Sequence, residues 1–486
     1  AAYRRSIALI GPVPGSARYW IAVQQTKVGD NEAAFGTLET MIADEHELDR
    51  PGLLADPAFE ALRSDARWSG LTAPSSATKD RVAGWNGDLD WLLLEARRLI
   101  PAYRDAQLPA PTRRAAETLR ADIPKLSDAQ VYARLAQLLG TLHLGHTMLW
   151  GAGPDGPADG ARLQFTWLPV LLHAFPEGLF VVHADDAHRS LIGGRVEAID
   201  GVDAKAVFDA VASATSFASP AEALWTVPVR TSDMMLLHGL GIAKAADRAT
   251  LTLVDTKGAR ADVALVAGAW NPRAKLPAPP AVKTPLFLSR TGEAHWAEFW
   301  PQLATTYVQF NQVTSDPDED LPAFGKRLRT MLTDNASRNV IVDLRHNNGG
   351  NTFTYVELLR TITAFSAEDG RHVYALIGRS VYSAAANFST DLERLAKPVF
   401  VGEPTAATGN QDGDEAKIVL PWTGISATVS GVRWQLSHPW DGRVSIVPQV
   451  PVTMAAVDYF AGRDPVLETV KGMIAHDSRP PGDGGN

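Results

Sequence analysis

The run Asn339–Asn351, NVIVDLRHNNGGN, limits what this chain can fold into more than any other stretch. Its β-branched half predicts a buried strand. Its Gly-Gly end predicts a turn whose backbone N–H groups can face a ligand, because no Cβ stands in the way. Such a turn can supply part of an oxyanion hole, at Gly349 and Gly350. Further on, Gly378–Phe388, GRSVYSAAANF, reads as a short apolar strand, an Arg-Ser break and a small-residue run that opens a helix, with Ser383 at the junction. A helix N-terminus offers unpaired N–H groups to developing negative charge, so Ser383 is the candidate nucleophile and the N–H of Ala384 a further oxyanion donor. Taken alone, a serine among alanines is ordinary close packing, and Ser380 is the next hydroxyl to consider.

Three motifs, Asp343–Gly350, Ser383–Ala386 and Val401–Thr405, resemble in order and interval those of the tail-specific (C-terminal-processing) serine protease family. The family pattern is Asp-Leu-Arg-x-Asn-x-Gly-Gly, then Ser-Ala-x-Glu with the nucleophile first, then Val-Gly-Glu-x-Thr. The likeness covers roughly residues 85 to 475, and Ala386 departs from it where many members carry Glu. Many bacterial members place a lysine soon after the third motif, but here VGEPTAATGNQDGDE contains none, and the next is Lys417. The tricorn-like branch instead draws a histidine from the helical region ahead of a PDZ-like domain. By that resemblance the base is His146, in LLGTLHLGHTMLW. An imidazole of ordinary pKa, ~6.5, suits proton removal from a serine hydroxyl near neutrality.

The resemblance also implies an orienting acid just before a Pro-Asp near the end of the catalytic domain. In SHPWDGRVSIVPQV, residues 437–450, Gln449 replaces that Asp, and Asp441 is the nearest carboxylate. Trp440-Asp441-Gly442 equally suits a turn between two strands, and His438 is a lesser alternative base. His143 and His146 lack the Glu or Cys partners of a zinc motif, so neither metal nor other cofactor is expected. The expected substrate is a peptide or another acyl compound. Two other readings stay open: an esterase or amidase on non-peptide substrates, and a silent hydrophobic-ligand or peptide-binding protein, as the family's retinoid-binding relatives exemplify.

A chain of 486 residues with 45% hydrophobic and 21% charged residues can bury several cores. Its formal net charge of −9 argues against nucleic acid or an anionic membrane as the main partner, and an oligomer stays open. No apolar run approaches the length of a membrane span. With no cysteine, disulfides and thiolate chemistry are excluded. The start at Ala-Ala-Tyr-Arg-Arg fits removal of a signal peptide or trimming, and the family resemblance implies a periplasmic or secreted location.

The expected fold is a multidomain α/β chain with an N-terminal helical region, a PDZ-like β-rich module and a crotonase/ClpP-like α/β catalytic domain. Residues 1–80 form a helical cap, in which Ala17–Met41 resembles one tetratricopeptide-type hairpin. Residues 81–150 show helical periodicity and carry His146 at their end. In 151–270, after the glycine-rich GAGPDGPADG, the period switches to short strands with Gly turns, and the resemblance makes this the PDZ-like domain. A Pro-rich linker, 271–285, leads into alternating strands and helices over 286–475, and 476–486 reads as a flexible tail. Trp422, Trp434 and Trp440 near the proposed acid suit core packing better than substrate contact. Asn311 and Gln312 suit either substrate contact or a loop cap.

Overall fold

The computed structural model describes residues 15–44, 56–71, 78–151, 162–269 and 283–477. The GAGPDGPADG link apart from its first residue, the 271–285 linker up to 282, and the 476–486 tail beyond Asp477 lie outside these residues, as do parts of the 1–80 cap.

The centre of the molecule is a six-stranded sheet in the order Val450–Pro451, Val399–Gly402, His372–Ile377, Asn339–Asp343, Thr305–Phe310, His295–Trp300. All neighbours run parallel except the His295–Trp300 edge. Parallel strands need both faces covered, which is why Asn339–Asp343 and Thr305–Phe310 are buried at every position. One face packs Val340, Val342 and Phe400 against the helices Leu321–Asp334, Val356–Ser366 and Ala384–Ala396. The other packs Ile341, Tyr374 and Val401 against Val466, Val470 and Ile474 of the helix Pro465–Asp477.

The second sheet is antiparallel, ordered Val170–Phe175, Gly178–Ala184, Arg195–Ile199, Arg248–Val254, Arg260–Val266, with the short Val202–Asp203 paired to Arg195–Ile199. The stretch Ser216–Val227, which in sequence reads as loops longer than a minimal PDZ-like module needs, is instead largely helical, at Pro220–Arg230, with Met234–Gly239 following. Pro228 inside the first of these hid the pattern, since proline normally ends a helix. One apolar core joins this sheet to the helices Arg81–Leu99, Ala110–Asp122 and Asp128–Gly140, so the 81–150 and 151–270 segments pack as one body.

That core also takes in a hairpin the sequence reading did not foresee, Asp412–Val419 with Ser426–Arg433. Met148–Gly151, immediately after His146, adds to it as a third antiparallel strand. Asp88 fixes the hairpin's tip, accepting from the N–H groups of Trp422 (2.7 Å) and Thr423 (3.0 Å) and from the Thr423 hydroxyl (2.6 Å). Through this small sheet the chain around residue 146 is carried to the half of the molecule that holds the parallel sheet. By contrast, Trp440-Asp441-Gly442 is no hairpin turn, because the chain on either side forms no strand pair. Near the N-terminus, the helices Gly15–Lys27 and Asn31–Asp44 pack through Ala22, Phe35 and Leu38 into a separate small core with Phe59 and Trp68.

Under the end of the parallel sheet lies a buried ion network. Arg345 binds Asp343 and, through two 2.8 Å hydrogen bonds, Asp464, while Tyr307 donates to Asp343 (2.8 Å). Burial alone would push the Asp343 carboxyl up, but the Arg345 guanidinium outweighs it and holds the group below its ordinary range. Arg345→Ala would leave two buried carboxylates unpaired and is expected to cost about 3–5 kcal/mol. Chemical denaturation measures this as a fall in midpoint; a wild-type midpoint would contradict the network's role.

Candidate active site

Ser383 is the N-cap of the helix Ala384–Ala396, with φ 53° and ψ −129°. A non-glycine residue at positive φ is costly, and surroundings must hold it there. Asn347 does much of this. Its backbone carbonyl accepts from Tyr382 N–H (3.3 Å), its Nδ2 donates to the Phe310 carbonyl (3.0 Å), and its Oδ1 accepts from Gly349 N–H (3.1 Å). On the far side Gln411 Nε2 donates to the Ser383 carbonyl (3.0 Å). The Ser383 hydroxyl itself has no hydrogen-bond partner among the described residues.

The Gly-Gly turn meets the serine directly. A Cβ on Gly349 would come within 2.6 Å of Ser383 Cβ and 3.1 Å of its Oγ, and Gly349 has φ 117°. Gly350, at φ 136°, sits against Val313, which donates to the Gly349 carbonyl and accepts from Asn351 N–H, each at 2.8 Å. Asn347 takes the Gly349 N–H, whereas the N–H groups of Gly350 and Ala384 have no protein acceptor among the described residues. In the third motif Glu403 forms a paired salt bridge with Arg379, at 2.8 and 2.9 Å, on the wall of the cavity.

His146 lines the same cavity as Ser383. Its loop is clamped on several sides. Ser216 Oγ binds Leu144 N–H (2.9 Å) and carbonyl (2.8 Å), Ser430 donates to the Gly145 carbonyl, and Tyr382 Oη accepts from His146 N–H (2.6 Å). The imidazole stacks on the Tyr382 ring with centroids 4.3 Å apart. Its Nδ1 lies 2.9 Å from Tyr382 Oη and 3.3 Å from the Asp412 carbonyl, while Nε2 has no protein partner among the described residues. Burial lowers its pKa to about 4, against the opposing pull of the Asp412 carbonyl. The ring is therefore neutral well below the ordinary value assumed from sequence.

The other sequence candidates fall elsewhere. Asp441 is not brought to His146 and does not line the cavity. Its carboxylate is held by Arg443 (2.9 and 3.0 Å) and the Ser437 hydroxyl (2.8 Å), and Arg443 keeps it well below the usual carboxylate range. His438 is exposed and stacked on Trp440, and His143 is exposed at φ 52°. Ser380 donates to the Arg345 carbonyl (2.5 Å), and Lys417 lines the cavity from the hairpin. Asn311 is buried and donates to the carbonyls of Arg290 and Glu293, a structural role. Sequence reasoning missed Tyr382 and Glu222. Glu222 Oε1 and the Tyr382 hydroxyl close together on the space over Gly145, and burial raises the Glu222 pKa to about 7, opposed by the Ala218 N–H and by Tyr382.

The cavity has a volume of about 840 Å³. Leu171, Val182, Val229, Phe287 and Met454 make much of its wall apolar, and the edge strand Val170–Phe175 contributes Leu171, Leu172 and His173.

No family model matches the chain, and no curated protein matches it in sequence. Solved structures do share its fold. Mature CPAF in complex with lactacystin superposes with a TM-score of 0.56 at 13% identity, covering 81% of this chain and 98% of that one. A second structure of mature CPAF gives 0.54 at 12% identity, covering 82% and 99%. The photosystem II D1 C-terminal processing protease is remoter, at 0.36 and 14% identity, covering 77% and 93%. These structural neighbours are of the tail-specific peptidase type.

Gly349→Ala would place a methyl group against Ser383 at a φ that alanine resists. It is expected to displace the Ser383 segment and lower stability by about 1–3 kcal/mol. An unchanged denaturation midpoint would show that the close approach carries no strain.

Proposed function

We propose that this protein is a serine peptidase of the tail-specific type, working through an acyl-enzyme on Ser383 with His146 as general base. The observation that carries this reading is the pairing of a strained, unpartnered serine at a helix N-terminus with a neutral imidazole whose Nε2 is unengaged in the same cavity. Ser383 Oγ attacks the acyl carbon as its proton passes to His146 Nε2, and the carbonyl electron pair moves onto oxygen. The N–H groups of Gly350 and Ala384 receive that oxyanion, reinforced by the helix N-terminus. The imidazolium then protonates the leaving amine, and water attacks the ester with the same base. Gly349 shapes the turn, and Asp441 has no part in the relay.

The antiparallel sheet acts, in this reading, as a PDZ-like module beside a crotonase-like catalytic layer. Its Val170–Phe175 edge borders the cavity, which suits capture of an extended peptide by strand addition, and the apolar wall suits hydrophobic side chains. The family's mostly exported members make a periplasmic or secreted location the matching proposal.

A fluorophosphonate probe tests the chemistry before any substrate is known. Mass spectrometry is expected to map the adduct to Ser383, with Ser383→Ala unlabelled at an unchanged melting temperature. His146→Ala is expected to slow labelling by on the order of a thousandfold. No adduct on the wild type would favour a silent binding protein. Loss of labelling in Lys417→Ala but not in His146→Ala would move the base to Lys417. Peptide and ester panels then separate peptidase from esterase.

A further inference from the structure

We propose that Tyr382 and Glu222 form a positioning relay that sets the tautomer of His146, so that ionisation of Glu222 decides whether the base can accept the Ser383 proton. This rests on the Ser383–His146 reading above. Neither residue belongs to the motifs in the sequence, and Glu222 lies on the helix Pro220–Arg230, in the stretch expected to be loop.

The argument is a count of donors and acceptors. A tyrosine hydroxyl has one proton to give and two lone pairs. One lone pair of Tyr382 Oη takes the backbone N–H of His146 at 2.6 Å. That leaves one proton and one lone pair for two partners, His146 Nδ1 at 2.9 Å and the Glu222 carboxylate. If Glu222 is ionised it can only accept. Tyr382 must then donate to Glu222 and accept from Nδ1–H, which leaves Nε2 bare toward the cavity. If Glu222 is protonated, the order can reverse: the acid donates to Tyr382, Tyr382 donates to Nδ1 in place of that nitrogen's own N–H toward the Asp412 carbonyl (3.3 Å), and the ring proton sits on Nε2. A ring protonated on Nε2 cannot take the serine proton.

The surroundings favour this coupling. Tyr382 is buried among Ala386, Ala406 and Ala407 under Trp225, and its own pKa is raised well above the usual value by burial and by Glu222, so it stays protonated. Gly145 has no side chain where one would collide with Tyr382 Oη and approach Glu222 Oε1 at 3.2 Å. Glu222 Oε2 accepts from Ala218 N–H (2.7 Å), and its own N–H binds Ser219 Oγ (3.0 Å), a helix cap that fixes the carboxylate's place. The groups facing the relay are His146 from its loop, Glu415 from the Asp412–Val419 strand and Trp225 from the helix itself. No cation pairs with Glu222 among the described residues, which leaves burial as the force that brings its titration to about pH 7. During acylation neither relay residue gains or loses a proton. Ser383 loses one to Nε2, and the ionised Glu222 stabilises the imidazolium through the tyrosine.

The test is the rate of fluorophosphonate adduct formation on Ser383 against pH. Wild type is expected to gain rate as pH rises through about 7, while Glu222→Gln, a permanent neutral mimic, is expected to lose that step and fall by on the order of a hundredfold above it. Tyr382→Phe is expected to lose the same step. Melting curves separate a mere helix-cap defect, which would lower stability and leave the pH profile in place. Glu222→Gln with the wild-type rate and profile overturns the relay while the hydrolase reading stands; no wild-type adduct at Ser383 overturns both. Should the variants fail to fold, ¹⁵N spectra of the wild-type imidazole, assigned by comparison with His146→Gln, are expected to pass from Nε2–H to Nδ1–H across neutrality. A single tautomer throughout refutes the proposal.

Discussion

The site depends on a buried charge cluster at the end of the parallel sheet, centred on Arg345. Arg345 sits between Asp343, at the end of a central strand, and Asp464, at the start of the last helix, and it accepts Ser380 through its backbone carbonyl. One side chain thus ties together the strand that leads into the glycine turn, the segment that leads into Ser383 and the helix that covers the sheet. A buried ion pair gives little net stability over an apolar substitute, but it punishes misplacement severely, because each carboxylate needs its partner in one geometry. Register, more than stability, is what such a cluster supplies to a site assembled from distant segments.

Above it, strain is held in a bracket. Ser383 keeps its positive φ because Asn347 grips the preceding residue and the facing glycine at once, and Gln411 grips its carbonyl. The same Asn347 contact engages the Gly349 N–H, whose residue lets the turn meet Ser383 by absent bulk, while the Gly350 N–H has no protein acceptor among the described residues. Two adjacent glycines therefore do different jobs, which their identical letters could not reveal.

How far the molecule was legible in sequence follows from how local each signal is. The strand at Asn339–Asp343, the turn after it and the helix opening at Ala384 are encoded within a few residues, by β-branched runs, glycines and small side chains. His146 needed the family resemblance, since nothing local says that Met148–Gly151 will pair with Ser426–Arg433 and bring the preceding loop across the molecule. Asp441 misled because it was chosen by proximity in a segment without regular structure, where Arg443, two residues away, claims the carboxylate. Tyr382 is a buried ring among small residues and Glu222 an acid near the start of a helix that an internal proline conceals. Neither feature hints that the two meet.

Why a tyrosine should stand between acid and base follows from electrostatics in a dry cavity. A carboxylate directly on a buried imidazole favours the charged ring and raises its pKa. With a hydroxyl interposed, the ring keeps a fixed orientation while burial holds it neutral, down to about pH 4. The carboxylate, one group further back, pays the same desolvation cost and titrates near 7 instead. The two groups have been moved apart in opposite directions from their ordinary values by one cause, burial, acting on a base and on an acid. In the proposed relay the imidazole is neutral over the range in which the acid titrates, so the charge of Glu222, together with the Asp412 carbonyl beside Nδ1, would set whether Nε2 carries a proton.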